Sequence, residues 1–181
     1  SQPALYLSPN SASIYYGTVT ATISYSGFNG VPDITWSSPS NAINIRQSGN
    51  TIIISVKQIN SGTYVIHFTA IYYYQVNGSL IEQKAGADFT LTILPATFSI
   101  SASPQNITVV ANTNPRAPGQ TGQVAIGIQS STDPYQTVTL SSNASFVSFS
   151  SQTASPGQTV TAYIQARTTG NYTVVITGTN N

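Results

Sequence analysis

One histidine, four carboxylates and no cysteine are all that this sequence of 181 residues offers to catalysis or metal binding. His67 alternates with Phe68, so it points outward if Phe68 points into a core. A lone imidazole with no second ligand in its neighbourhood reads as a surface residue rather than a metal ligand. The carboxylates are Asp33, Glu82, Asp88 and Asp133. Glycoside hydrolysis needs two of them across a cleft, and no spacing here brings a pair together. A Gly-x-Ser-x-Gly nucleophile motif and a phosphate-binding loop are both missing. Lys57 and Lys84 are candidates for a Lys–Asn crosslink, but that reaction needs a buried carboxylate beside them. The chain therefore reads as a non-enzyme that requires no cofactor.

What remains is modification and binding. Four Asn-x-Ser/Thr sequons occur, at Asn77, Asn106, Asn143 and Asn171. With Ser and Thr this frequent, roughly three would arise by chance, so position says more than number. Asn77 falls in a hairpin turn. Asn171 and Thr173 share the face opposite Tyr172 and Val174, while Asn106 and Asn143 lie at strand edges. These are the expected carriers of N-linked glycans in an exported chain. Tyr15, Tyr16, Tyr25, Tyr72, Tyr73 and Tyr74 have the composition of a carbohydrate-binding face, although tyrosine serves cores and subunit contacts equally well.

The elements that must position these residues are strands. Charged residues make up 5% of the chain against 40% hydrophobic ones. Val, Ile, Thr and Tyr dominate, and good helix formers are scarce. The hydrophobic content excludes disorder. A formal net charge of +1 leaves no basic patch for nucleic acid. No apolar run approaches the ~18 residues of a membrane helix. The chain begins at Ser1 and has neither Met nor Cys. This suggests an extracellular polypeptide whose signal peptide is removed before Ser1. With so few carboxylates, little stability is lost on protonation, so acid tolerance is expected.

An internal repeat organises the chain. Thr51–Thr69 (TIIISVKQINSGTYVIHFT) aligns without a gap on Thr159–Thr177 (TVTAYIQARTTGNYTVVIT), placing Gly62 on Gly170 and Tyr64 on Tyr172. Extended segments are expected at Ala4–Ser8, Ser13–Tyr16, Gly17–Tyr25, Ile34–Ser37, Ile43–Arg46, Thr51–Val56, Thr63–Tyr74 and Leu80–Leu94. A second set follows at Phe98–Ser101, Ile107–Val110, around Val124–Ile128, Val138–Ser142 and Phe146–Phe149, before the second copy of the repeat. Leu140 is aligned with Trp36. A Pro/Gly/Asn-rich loop is expected at Asn112–Gly122. Short strands separated by Pro/Gly turns predict an all-β chain of two tandem Ig-like β-sandwich domains. The divisions are 1–10 (an N-terminal strand), 11–95 (domain 1) and 96–181 (domain 2).

The two halves end differently. The first supplies a final strand, with Phe89, Leu91 and Ile93 on one face. The second reaches Gly178-Thr179-Asn180-Asn181 after its Tyr-led strand. Domain 2 is therefore expected to lack its last strand, and an apolar edge of that kind recruits another chain. The expected donor is the terminal, Pro-flanked segment Pro3, Ala4, Leu5, Tyr6, Leu7 and Ser8. The expected acceptor groove is lined by Ile107, Val109, Tyr172, Val174 and Ile176. A head-to-tail contact of this kind does not close, and so builds a filament of identical copies.

With Gly170, Tyr172, Thr173, Val174 and Ile176, the second half resembles the Ig-like modules of archaeal secreted and surface proteins, whose final strands read Gly-x-Tyr-Thr-Val-x-Ile. In size, composition and organisation the whole chain resembles the subunit of the archaeal thread. That is a glycosylated, pilus-like cell-surface filament. The resemblance implies a structural subunit joined head to tail by donor-strand complementation, serving adhesion or biofilm formation. The competing expectation is a carbohydrate-binding or adhesin module of a secreted protein.

Overall fold

The computed structural model describes residues 2–116, 119–130 and 132–180; Ser1, where leader cleavage is expected, lies outside them, as do two residues of the 112–122 loop. The described residues contain strands and no helix. The chain divides between Pro95 and Ala96 into two units. The structure is that of tandem Ig-like β-sandwiches.

Unit 1 packs two four-stranded sheets face to face. The first has the order β1 (Ala4–Ser8), β3 (Gly17–Ser26), β6 (Thr51–Val56), β5 (Ile43–Ser48). The second has the order β2 (Ser11–Ile14), β8 (Ser79–Ile93), β7 (Gly62–Val76), β4 (Asp33–Ser37). Period-2 alternation decides the core: Ala21 and Ile23 from β3 and Ile52, Ile54 and Val56 from β6 face Ile66, Phe68 and Ala70 from β7. Phe89, Leu91 and Ile93 of β8 complete this core. β8 is central, antiparallel to β7 and parallel to β2. β7 and β8 continue past the end of β4 as a two-stranded arm. Its turn is Asn77-Gly78, both with positive φ (51° and 80°), the geometry a tight hairpin requires.

Unit 2 repeats the plan with fewer pieces. One sheet has the order β12 (Val147–Phe149), β14 (Thr159–Ile164), β10 (Gly122–Gln129), β9 (Ser99–Ser103). The other has three strands, β13 (Thr153–Ala154), β11 (Val138–Ser142), β15 (Ile176–Asn180). The repeat holds in space. Ala21 pairs with Ile52, and their counterparts Ile126 and Val160 pair likewise. In both units a Tyr hydroxyl donates back to a carbonyl: Tyr64 to Asn60 at 2.8 Å and Tyr172 to Thr168 at 2.9 Å. These are matching tyrosine corners.

Three expectations need correction. The 1–10 segment is no separate element. Ala4–Ser8 is β1, paired with β3 of its own unit, and Leu5 is 6% exposed in that core. The repeat explains why: β9 holds the same place beside β10, Ile100 opposite Ile128 as Leu7 is opposite Ile23. Ile107–Val110 is not a strand. Leu140 does not take the place of Trp36 either. It lies opposite Gly178, whose counterpart Ala70 faces Ile34. Leu140 takes the place of Ile34, two residues before Trp36.

Candidate functional site

The expected groove corresponds to the place that β8 takes in unit 1. In unit 1, β8 fills the space between β7 and β2, with Tyr64 opposite Leu91, Ile66 opposite Phe89 and Ala12 opposite Leu91. Among the described residues, unit 2 has no strand in that position. The counterparts of Tyr64, Ile66 and Phe68 are Tyr172, Val174 and Ile176. Ile66 and Phe68 are buried, at 0% and 1% exposure, whereas Tyr172 is 48% exposed and Val174 and Ile176 are half-buried. On the other wall, Ile107 is 36% exposed and Val109 half-buried. Among the described residues, the backbone of 107–109 makes no hydrogen bond to another strand. The five expected groove residues therefore sit on the two segments that correspond to the neighbours of β8.

Residues 171–175 precede β15 and are not paired with β11. Asn143 holds them in line. Its backbone N–H donates to Val175 O at 3.2 Å, its Oδ1 accepts the Val175 N–H at 2.9 Å, and its Nδ2 donates to Thr173 O at 3.5 Å. The side chain thus partly substitutes for a strand partner, on the side away from the groove. Sequence reading saw only a sequon here, because the residue's bonding depends on where β11 ends. Phe146 packs edge-on against Tyr172, with ring centroids 5.1 Å apart, and supports the same wall. All four sequon residues, Asn77, Asn106, Asn143 and Asn171, are exposed.

The remaining polar candidates are scattered. His67 Nδ1 meets Asp88 Oδ1 at 2.6 Å on the outer face of β7 and β8. Glu82 accepts a hydrogen bond from the Tyr73 hydroxyl at 2.9 Å. That bond and the carboxylate's charge both raise the Tyr73 pKa above its ordinary value of 10.0. Asp133 accepts the Tyr135 backbone N–H, and Asp33 opens β4. Asp133 lies in unit 2 and the other three carboxylates in unit 1.

The tyrosines do not form one face. Tyr25 packs edge-on against Phe28. Tyr72 and Tyr74 stack at 6.3 Å along the hairpin arm. The Tyr72 ring lies over Gly30 so closely that a Cβ there would fall 2.3 Å from it. Gln83 secures this loop, donating to Gly27 O and Asn29 Oδ1 and accepting the Asn29 N–H at 2.7 Å. Tyr73, on the opposite side of the arm, is exposed.

No known protein family matches this sequence, and no curated protein does. Among solved structures, the D00–D0 domain of Intimin is 15% identical, with 99% of this chain and 92% of that one covered and a TM-score of 0.39. The D0–D1 domain of Intimin is 14% identical, covering 98% and 89%, with a TM-score of 0.29.

Proposed function

We propose that this chain is a structural, non-enzymatic subunit of an extracellular filament, polymerising head to tail by donor-strand complementation. The observation that carries the reading is the open position in unit 2, next to a unit built on the same plan in which β8 fills that position. The occupant is a second copy's Ala4–Ser8 segment. As β8 does in unit 1, it would run antiparallel to 172–176 and parallel to 107–109. Leu5 and Leu7 alternate as Phe89, Leu91 and Ile93 do, and fill the interior. In its own subunit the segment is an edge strand with one neighbour; in the groove it has two. Glycans on Asn77, Asn106, Asn143 and Asn171 would project from exposed positions of such a filament. Adhesion or biofilm formation is the role such a surface polymer serves.

The pairing of β1 with β3 favours a second reading, a surface or adhesin module whose groove is closed by a different strand. One experiment separates the two. Deleting residues 2–9 should abolish filaments seen by negative-stain electron microscopy. Adding back a peptide with the sequence of residues 2–9 should stabilise unit 2. A truncated chain that still polymerises, or a full chain that stays a stable monomer at high concentration, would overturn the filament reading.

A further inference from the structure

Gly122, at the start of β10, corresponds to Gly17 at the start of β3: the first pairs with Ile164, the second with Val56. The two glycines answer different needs. Gly17 has φ +105°, which an L side chain rarely adopts, and a Cβ there would meet nothing within 4 Å. The backbone of Gly122 is not in that positive-φ region, so its conformation does not call for glycine. Space does. A Cβ at Gly122 would stand 2.5 Å from Ile107 Cδ1 and 2.8 Å from Val109 Cγ1.

Ile107 and Val109 are the third and fifth residues beyond the cis proline Pro104, as Ala12 and Ile14 are beyond the cis proline Pro9. Ala12 and Ile14 belong to β2, which pairs with β8. Residues 107–109 have no such partner, and the chain that follows turns to the other sheet. Val110 O accepts the Gln120 N–H at 2.9 Å, Val110 N–H donates to Gln120 Oε1 at 3.1 Å, and Asn112 N–H donates to Ala166 O at 2.8 Å. The segment has settled over Gly122, partly filling the interior that a donor strand would occupy.

We infer that Ile107 and Val109 form a gate that holds the empty groove partly shut, and that the missing side chain at Gly122 is what lets the gate close. This rests on the groove being an acceptor for a strand. To admit one, residues 107–109 must lift off Gly122 and line up as β2 does beside β8. The apparent affinity for the donor is reduced by the fraction of subunits with the gate closed. A glycine at a strand position otherwise open to alanine costs stability, and the closed gate is the return for it. Covering part of Ile107 and Val109, which stay 36% exposed and half-buried, limits the exposed patch that would invite wrong partners.

Gly122→Ala tests this, because the atoms it displaces are the ends of two side chains, Ile107 Cδ1 and Val109 Cγ1. The chain has no cysteine, so Val109→Cys supplies a single thiol. Maleimide should modify that thiol slowly compared with Val110→Cys, whose site is 59% exposed. Adding Gly122→Ala should bring the rate at position 109 up to that of position 110. Equal rates without Gly122→Ala overturn the gate, whatever the donor does. In parallel, capture of the residue 2–9 peptide by unit 2 of the full chain, in which β1 still holds its own place beside β3, should be about tenfold faster with Gly122→Ala. Ile107→Ala should also speed capture. Capture at the same rate in all three chains overturns the gate and leaves the acceptor groove standing. Absence of capture in all three overturns the groove itself, and the gate as a device for it.

Discussion

If the groove is open, the same truncation should have very different costs in the two units. Ile66 lies at 0% exposure between the sheets of unit 1, beside its cross-strand partner Phe89 of β8. Ile→Ala there removes three carbons, about 2.4 kcal/mol at ~0.8 kcal/mol each. The residual cavity, which well-packed neighbours close only in part, brings the total to about 3–4 kcal/mol. Ile176 lies on the corresponding strand of unit 2 but is half-buried. About half the transfer cost applies, and the open side leaves no sealed cavity, so Ile176→Ala should cost about 1 kcal/mol. For units of this size 1 kcal/mol moves Tm by roughly 4–8 °C. Calorimetry, with hydrogen exchange assigning each transition to a unit, should show a fall of about 12–30 °C in unit 1 for the first variant and about 4–8 °C in unit 2 for the second. With saturating residue 2–9 peptide the cost of Ile176→Ala should rise towards that of Ile66→Ala. Equal costs in the free chains would mean that the interior of unit 2 is already closed, and the reasoning would fail.

Other outcomes follow from single contacts. Tyr64→Phe and Tyr172→Phe each remove one hydroxyl-to-carbonyl bond, so each should destabilise its own unit by about 1 kcal/mol in denaturant titrations. Glu82→Gln removes the charge that helps hold the Tyr73 proton, and ultraviolet titration should show Tyr73 ionising closer to 10.0. The raised value means the folded chain keeps this proton to higher pH than the unfolded one. Its contribution is present below about pH 10 and is lost as pH rises through the folded-state value, the opposite sense to a salt-bridged carboxylate. The chain has four carboxylates, and the His67–Asp88 ion pair is on the surface. Stability should therefore change little between neutral pH and about pH 3; a steep acid transition would contradict this.

The strands β3, β6, β7 and β8 could be read from the sequence because both faces of a sandwich impose period-2 alternation. Glycine and proline mark where it stops. The likeness of the two halves could be read too, since Gly62 falls on Gly170 and Tyr64 on Tyr172, and both tyrosines make the same bond back to a carbonyl. The failures share a cause. Ile107–Val110 has the composition of a strand, but a strand exists only where a neighbour accepts its hydrogen bonds, and no local pattern records whether one is present. Ala4–Ser8 looked detachable because it is terminal and flanked by proline. Yet Leu5 and Leu7 have the spacing that β1 needs beside β3, as Ile100 has in β9. Asn143 and Gly122 act through neighbours distant in sequence, Val175 in one case and Ile107 in the other.

The docked β1 bears on how a filament would start. Moving this strand into a neighbour's groove opens an edge on β3 like the one it closes in unit 2, and Leu5 leaves one core for another. The net gain is the second row of backbone bonds, about three or four of them, each contributing about 0.5–1.5 kcal/mol. That is roughly 2–6 kcal/mol, against an association cost of about 4–15 kcal/mol. In its own subunit β1 rebinds at the high effective concentration of a tethered segment. A single exchanged strand therefore does not hold two isolated subunits together at low concentration. Assembly should depend steeply on concentration and show a lag set by release of β1 from β3. Weakening that docking with Ile23→Ala, which removes a contact of Leu7 without touching the groove, should shorten the lag. An unchanged or longer lag would mean that β1 is not the strand being exchanged.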